Sequence, residues 1–272
     1  MGRIICISNQ KGGVGKTTTA INLAASLAAA ERKTLLVDLD PQGNAGSGLG
    51  IDKTQLNGSI YDCLIDQRPI EEVILPTELR YLDVAPATAD LTGAEVELVT
   101  IVHHREKRLR AALDGIRRKY DYVLIDCPPS LGLLTVNALT AADAVLIPLQ
   151  TEYYAMEGLA QLLSTIELVQ RSLNPKLAVD GIVLTMFDSR ANISHQVSEE
   201  VRRVFPQFVF NTVVPRNVRL AESPSFGKPV LLYDIRSKGC EAYLAVAREL
   251  LKRDKAKLKK AAPSPRASAP AR

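Results

Sequence analysis

Three groups of residues in this chain have the types and spacing to handle a phosphorylated ligand. The first is Lys11-Gly12-Gly13-Val14-Gly15-Lys16-Thr17-Thr18, a glycine-rich turn between the strand-like run Ile4–Ser8 and a helical pattern. Glycines let backbone N–H groups converge on phosphate oxygens, and a helix N-terminus adds the positive end of its dipole. Lys16 is placed to neutralise β and γ phosphates, and the Thr17 hydroxyl to meet Mg²⁺. The usual spacing puts glycine at position 10, where this chain has Gln10 followed by an additional lysine, Lys11. A lysine at the mouth of the loop lacks room to double up with Lys16 on the same phosphates, but it can reach the nucleotide of a second subunit. The bland alternative is a glycine turn with a solvated lysine.

The second group is Asp38 and Asp40 in Leu35–Gly43, two carboxylates at i and i+2, which a strand places on one face. Asp40, at the carboxyl end of the strand where open α/β sheets bind ligands, is the candidate for positioning an attacking water. Asp38 is the candidate for supporting Mg²⁺ or the Lys16 ammonium, with a helix-capping Asp before Pro41 as the alternative for one of the two. The third is Asp126, which ends the apolar run Tyr122–Ile125 in the Walker B form and is expected to hold Mg²⁺ through a water. Cys127 is not expected to be a nucleophile: no histidine lies nearby in sequence, and the adjacent carboxylate raises a thiol's pKa.

Positioning these groups calls for a parallel sheet. Arg3–Ser8, Thr34–Asp38, Leu82–Pro86, Tyr122–Asp126, Ala144–Leu149, Gly181–Met186 and Phe208–Val214 read as strands, several of them continuous apolar runs as a sheet covered on both faces requires. Helical patterns lie between them: from the glycine loop through Ala30, then Arg105–Lys119, Met156–Ser172, Ser194–Phe205 and Lys238–Arg253. The expected fold is α/β, a doubly wound, mostly parallel sheet with helices on both faces, of the P-loop NTPase type. One domain over residues 1–253 is expected, followed by a basic, Ala/Pro-rich disordered tail over 254–272.

The chain has 272 residues, enough for a sizeable core, and a net charge of +4. The last 21 residues hold eight Lys/Arg and one acid, so the rest carries a net −3, and any nucleic-acid surface on the domain must be a local patch. One candidate patch lies on Ser194–Phe205, where Val197, Val201, Val204 and Phe205 share one side and Arg202 and Arg203 another, with Arg216 and Arg219 following; a solvated helix face is the alternative. Apolar stretches are too short or interrupted to span a bilayer and no secretory signal opens the chain, so a cytoplasmic protein is expected. The four cysteines form no Cys-x-x-Cys pair and read as buried free thiols.

Lys11 through Thr17 resembles the deviant Walker A loop of the ParA/MinD group of P-loop ATPases. The run Asn9–Thr19, followed by Asn22 and Leu23, is most similar to ParA (Soj)-type chromosome-partition ATPases, and the resemblance extends from about Arg3 to Leu251. It implies an ATPase of weak intrinsic turnover that takes ATP and Mg²⁺, and a homodimer sandwiching two ATPs with Lys11 on the opposing nucleotide. It further implies a switch segment at Cys127-Pro128-Pro129-Ser130, and adenine recognition by Pro215 and Asn217 within Val213–Asn217. Nonspecific double-stranded DNA binding by the ATP dimer through Arg202, Arg203, Arg216 and Arg219 is implied as well, as are a nucleoid location and release when a ParB-type partner stimulates hydrolysis.

A MinD-like, membrane-cycling ATPase is the alternative within the group. Such proteins end in an amphipathic helix with bulky apolar residues, whereas after Leu251 only Leu258 here is large and apolar, so no stable membrane association is expected. A nitrogenase-iron-protein-like reductase would need a cysteine pair at a dimer axis, and Cys127 beside the Walker B acid does not suit that geometry. A small-molecule kinase or synthetase would need an acceptor pocket, for which no residue pattern stands out.

Overall fold

The computed structural model describes residues 2–261. In chain order the elements are β1 (Arg3–Ile7), α1 (Lys16–Ala29), β2 (Thr34–Asp38), α2 (Asn44–Ser47), α3 (Ile60–Leu64), β3 (Leu75–Pro76), β4 (Leu82–Ala85), α4 (Leu91–Thr100), α5 (Arg108–Asp114), β5 (Tyr122–Asp126), α6 (Leu133–Ala141), β6 (Ala144–Gln150), α7 (Ala155–Ser172), β7 (Ala178–Thr185), α8 (Asn192–Val204), α9 (Val218–Glu222), α10 (Val230–Tyr233) and α11 (Lys238–Ala261). The strands form one seven-stranded sheet in the order β3-β4-β2-β5-β1-β6-β7, parallel except for the short antiparallel β3. The expected doubly wound, P-loop-type architecture is therefore present.

Helices cover both faces, which explains why β2 and β5 are buried along their whole length without polar alternation. Alternate residues of β1 serve two cores. Ile4 and Cys6 pack with the helices α3–α8, while Ile5 and Ile7 pack with α1, α9, α10 and α11. Each fully buried Leu or Ile contributes roughly 1.5–3 kcal/mol of transfer free energy, so the two cores fix the strand order and bring the carboxyl ends of β1, β2 and β5 together.

Three expectations need correction. Residues 208–214 do not form a strand; pairing there is reduced to isolated bridges, Ile182 to Val209 and, just beyond β7, Phe187 to Pro215. The backbone of this segment is shared between two neighbours: Phe208, Phe210 and Val214 exchange hydrogen bonds of 2.8–3.0 Å with Ile182 and Leu184 of β7, while the Glu249 carboxylate of α11 accepts from the N–H groups of Asn211 and Thr212, and Arg253 donates to the carbonyls of Phe208 and Val209. Arg105–Lys119 is not one helix but a 3₁₀ turn, the short α5, and turns. Finally, α11 does not end at Arg253. It continues through Ala261 because Asp254 accepts from the Arg3 guanidinium and the Tyr122 hydroxyl, and Lys257 pairs with Asp180. Residues 262–272 of the expected tail lie outside the described residues. Among the described residues no helix is long and apolar enough to cross a membrane.

Candidate nucleotide-binding site

The glycine-rich loop leaves the carboxyl end of β1 and is anchored on both sides before it turns. Asn9 donates its side-chain amide to the Pro148 carbonyl at 2.8 Å and accepts from the Lys11 N–H at 3.0 Å. Thr185, the last residue of β7, donates its hydroxyl to the Val14 carbonyl at 2.8 Å. Gly13 and Gly15 have φ of 74° and 88°, a left-handed backbone that side chains other than glycine strain to adopt, and open space faces Gly12 and Gly13. Gly15 caps α1, whose first N–H groups meet no capping side chain, so the helix offers unpaired donors to an anion.

Lys16 is buried, with Nζ donating to the Lys11 carbonyl at 2.9 Å. Burial lowers its pKa, while the charge of Asp126, then Cys127 and Asp40, acts in the opposite direction. The lysine thus lies folded across the mouth of the cradle, within the field of the acids.

Those acids behave differently from one another. Asp126 is fully buried, and neither of its carboxylate oxygens has a hydrogen-bond partner among the described residues. Burial and then the charge of Asp38 push its pKa well above the ordinary carboxylate range, and Thr17 and Lys16 offset only part of this. A buried carboxylate left without donors beside a threonine hydroxyl and the phosphate cradle fits a divalent cation, whose charge would reverse that penalty. Asp38 is equally buried but accepts from the N–H groups of Gly46 at 3.0 Å and Asp40 at 3.2 Å; burial raises its pKa to about 6. Its oxygens therefore hold the loop after β2, and no hydrogen bond or ion pair joins it to Lys16 among the described residues. Asp40 stands just beyond the strand end, accepting from the Gln42 N–H at 2.9 Å, and contributes to the field at Lys16.

Next to the loop lies a cavity of ≈ 220 Å³ lined by Gly15, Thr18, Met186, Pro215, Asn217 and Tyr243 among others. It brings Pro215 and Asn217 beside the phosphate cradle. Asn217 Oδ1 accepts from the Arg219 N–H and caps α9, which leaves its amide NH₂ for a ligand. Tyr243 of α11 closes the back of this cavity, its hydroxyl 3.0 Å from that of Thr19, a residue pairing that sequence spacing gave no hint of. A larger cavity of ≈ 540 Å³, among Arg3, Arg32, Tyr122 and Asp254, lies at the amino-terminal ends of the strands. Open α/β sheets bind ligands at the opposite ends.

The four expected DNA-contacting arginines do not form an uninterrupted cationic rim. Arg203 pairs with Glu200 and Arg219 with Glu222 and Asp234, while Arg202 donates to the Asn211 carbonyl at 3.4 Å. Arg216 borders the cavity beside the glycine-rich loop. Near it stands exposed Arg190, which sequence reading passed over: its hydrogen bonds, with Arg216 adding charge, lower the Asp188 carboxyl to about 2.

A family model described as AAA domain (AAA_31) matches residues 2–179. The chain is 71% identical over 254 residues to the chromosome partitioning protein ParA of Myxococcus xanthus, covering 93% of this chain and 89% of the relative. The chain belongs to the ParA (Soj) family. Within that family it is also 57% identical over 250 residues to the sporulation initiation inhibitor protein Soj of Bacillus subtilis, covering 92% of this chain and 98% of that one. Among solved structures, cobyrinic acid a,c-diamide synthase from Mycobacterium smegmatis with bound ADP and magnesium superposes with a TM-score of 0.83 at 38% identity, covering 94% of this chain and 97% of that one. The cell division ATPase MinD from Pyrococcus furiosus gives 0.75 at 27% identity, with 93% and 99% covered.

Proposed function

We propose that this ParA-family chain is an ATP-hydrolysing switch for DNA segregation, in which an ATP-bound sandwich dimer binds DNA without sequence preference and a ParB-type partner stimulates hydrolysis to release it. The observation that carries this reading is the site's asymmetry of charge. Lys16 is buried and covers the cradle, Asp126 is buried without donors, and a further cation, Lys11, stands outside at the mouth. The names of the relatives and the ADP–magnesium complex of the M. smegmatis structure support the same reading.

In this mechanism the triphosphate draws Lys16 off the Lys11 carbonyl onto the β and γ oxygens, while the N–H groups of Gly12–Thr18 surround the phosphates. Thr17, and Asp126 through a water, would hold Mg²⁺, which supplies neutralisation of the phosphate charge. Asp40 orients the attacking water, and Pro215 and Asn217 hold the base. Lys11 of each protomer meets the γ-phosphate of the other, so the dimer depends on the third phosphate. Single weak arginine patches then act together on DNA once ATP pairs them, through salt-sensitive phosphate contacts. This use places the protein on the nucleoid in the cytoplasm.

A filter-binding titration tests it. DNA affinity is expected to rise with ATP over ADP and to lose that rise in Lys16→Ala; equal affinity in all three conditions sinks the proposal. Asp40→Ala is expected to retain ATP and remain a DNA-bound dimer, and rapid turnover by that variant contradicts its role.

A further inference from the structure

Lys11 is held from three sides inside its own protomer. Its N–H donates to Asn9 Oδ1, its carbonyl accepts from Lys16, and its ammonium pairs with the carboxylate of Glu152. Glu152 occupies the turn between β6 and α7, where its N–H donates to the Gln150 carbonyl at 2.9 Å and its own carbonyl accepts from Ala155 at 3.1 Å. Gln10, the residue that replaces the usual glycine, ties the loop to the same helix: its amide donates to the Gly158 carbonyl at 3.0 Å and to the Gln161 side chain at 2.6 Å. The front of the phosphate loop and the start of α7 therefore form one unit, centred on a pair of opposite charges.

This pair does nothing for the nucleotide of its own protomer. Lys16 already fills the place of the loop cation, and Glu152, an acid, repels phosphate. Lys11 is the cation that remains available to a second molecule.

We propose that Glu152 is an intramolecular competitor for Lys11, retaining the ammonium within its own protomer until the triphosphate on a second copy of this chain draws it away. The inference rests on the ATP-dimer reading and adds the element that sets its threshold. Nucleotide arrival takes Lys16 off the Lys11 carbonyl and so removes one of the three holds, and either ADP or ATP can do this through the β-phosphate. Glu152 is the hold that remains. Only a bound triphosphate presents enough charge at the right place to replace it, so the competition sharpens the difference between the two nucleotide states.

The side chains of Lys11 and Glu152 are 39% and 31% exposed, so water and salt screen the pair. Ion pairs of this kind hold their partners by no more than about fivefold. Because two such pairs open in each dimer, their combined effect on dimer affinity is at most about 25-fold.

Sedimentation velocity of the full chain tests the proposal, with ADP or a nonhydrolysable ATP analogue and Mg²⁺, at low and at high salt. Glu152→Gln is expected to dimerise with the analogue at a several-fold lower protein concentration than the unmodified chain, and to remain monomeric with ADP. Its affinity for a fluorescent ATP analogue as a monomer stays unchanged, and Glu152→Asp restores the original behaviour. The difference shrinks at high salt, which screens the pair, and it vanishes in a Lys11→Ala background. Equal or weaker dimerisation of Glu152→Gln, or an effect that persists without Lys11, overturns the competition while leaving the ATP dimer standing. Failure of the unmodified chain to dimerise with the analogue overturns both.

Discussion

Asp38 and Asp126 stand directly opposite one another in the parallel register of β2 and β5, both without solvent exposure. Two carboxylates so placed cannot both ionise at low cost. Backbone N–H groups support the charge of Asp38, whereas Asp126 has none. A carboxyl whose pKa is raised by folding binds its proton more tightly folded than unfolded. Its contribution to stability is therefore complete below the unfolded value near 4 and is lost as pH rises, through about 6 for Asp38 and likewise well above the ordinary carboxylate range for Asp126. Asp126→Asn is expected to raise the melting temperature of the nucleotide-free protein at pH 8, since relief of about 1–3 kcal/mol corresponds to about 2–4 °C per kcal/mol in a domain of this size. It should also flatten the fall in stability between pH 5 and 8 and abolish stabilisation by Mg²⁺ with ATP. Melting curves across that range check this, and a variant that melts below the parent at pH 8 contradicts it.

The last turns of α11 act as a clasp on the amino-terminal ends of the strands. Asp254 accepts from Arg3 and from the Tyr122 hydroxyl at 2.8 Å, and buried Asp180 is shared by Arg3 and Lys257. Although burial opposes it, these cations keep the Asp180 carboxyl below its ordinary pKa. Ending the chain after Arg253 is expected to lower stability by about 1–3 kcal/mol, since charged hydrogen bonds are lost and a half-buried arginine is left with fewer partners. Urea unfolding measures this directly, and an unchanged midpoint removes the clasp from consideration.

How far the sequence reached follows from which contacts are local. The loop Lys11–Thr18, its helix, and Asp38, Asp40 and Asp126 lie within single elements whose patterns are complete in a dozen residues, and the structure brings them together at the carboxyl ends of the central strands. The five central parallel strands were legible because burial on both faces leaves unbroken apolar runs. Residues 208–214 misled for the same reason: Phe208, Val209 and Phe210 are apolar because they pack, and Phe208 and Phe210 bond Ile182 of β7. Yet no continuous ladder forms, because Arg253 takes the carbonyls of Phe208 and Val209 and Glu249 the N–H groups of Asn211 and Thr212, 37 to 45 residues away. Helices α4 and α6 escaped notice because apolar residues surround them without a sharp amphipathic period; in α6, seven residues of nine are buried. Glu152 and Tyr243 carry no local signal at all. Only the folded chain sets them beside Lys11 and Thr19.

The hydroxyl pair of Tyr243 and Thr19 joins the last helix to the phosphate-loop helix within a region closed to water. Tyr243→Phe leaves the Thr19 hydroxyl without that partner, and the expected cost is about 1 kcal/mol of stability. The ring still walls the cavity beside the glycine-rich loop, so ATP affinity should change less than twofold. Paired denaturation and nucleotide titrations distinguish this from a direct ligand contact, for which affinity would fall and stability would not.

Gly181 of β7 packs against the segment that leads into the same cavity. A Cβ there would come within 2.4 Å of the Phe210 ring and 2.7 Å of the Phe208 carbonyl. The segment it would push outward cannot yield freely, because Glu249 and Arg253 stitch it to α11 and the Arg253 guanidinium lies 3.9 Å from the centre of the Phe210 ring. Overpacking of this kind costs about 1–3 kcal/mol. The segment continues into Val214 and Pro215, which line that cavity, so displacement at Phe210 should also weaken ATP binding. Gly181→Ala is therefore expected to lose stability and nucleotide affinity together, and Arg253→Ala in the same chain should recover part of both by letting Phe210 move. Calorimetric titration with ATP and urea unfolding of the single and double variants measure this coupling. A Gly181→Ala protein with parental stability would mean that residues 208–210 are not packed against β7 as described.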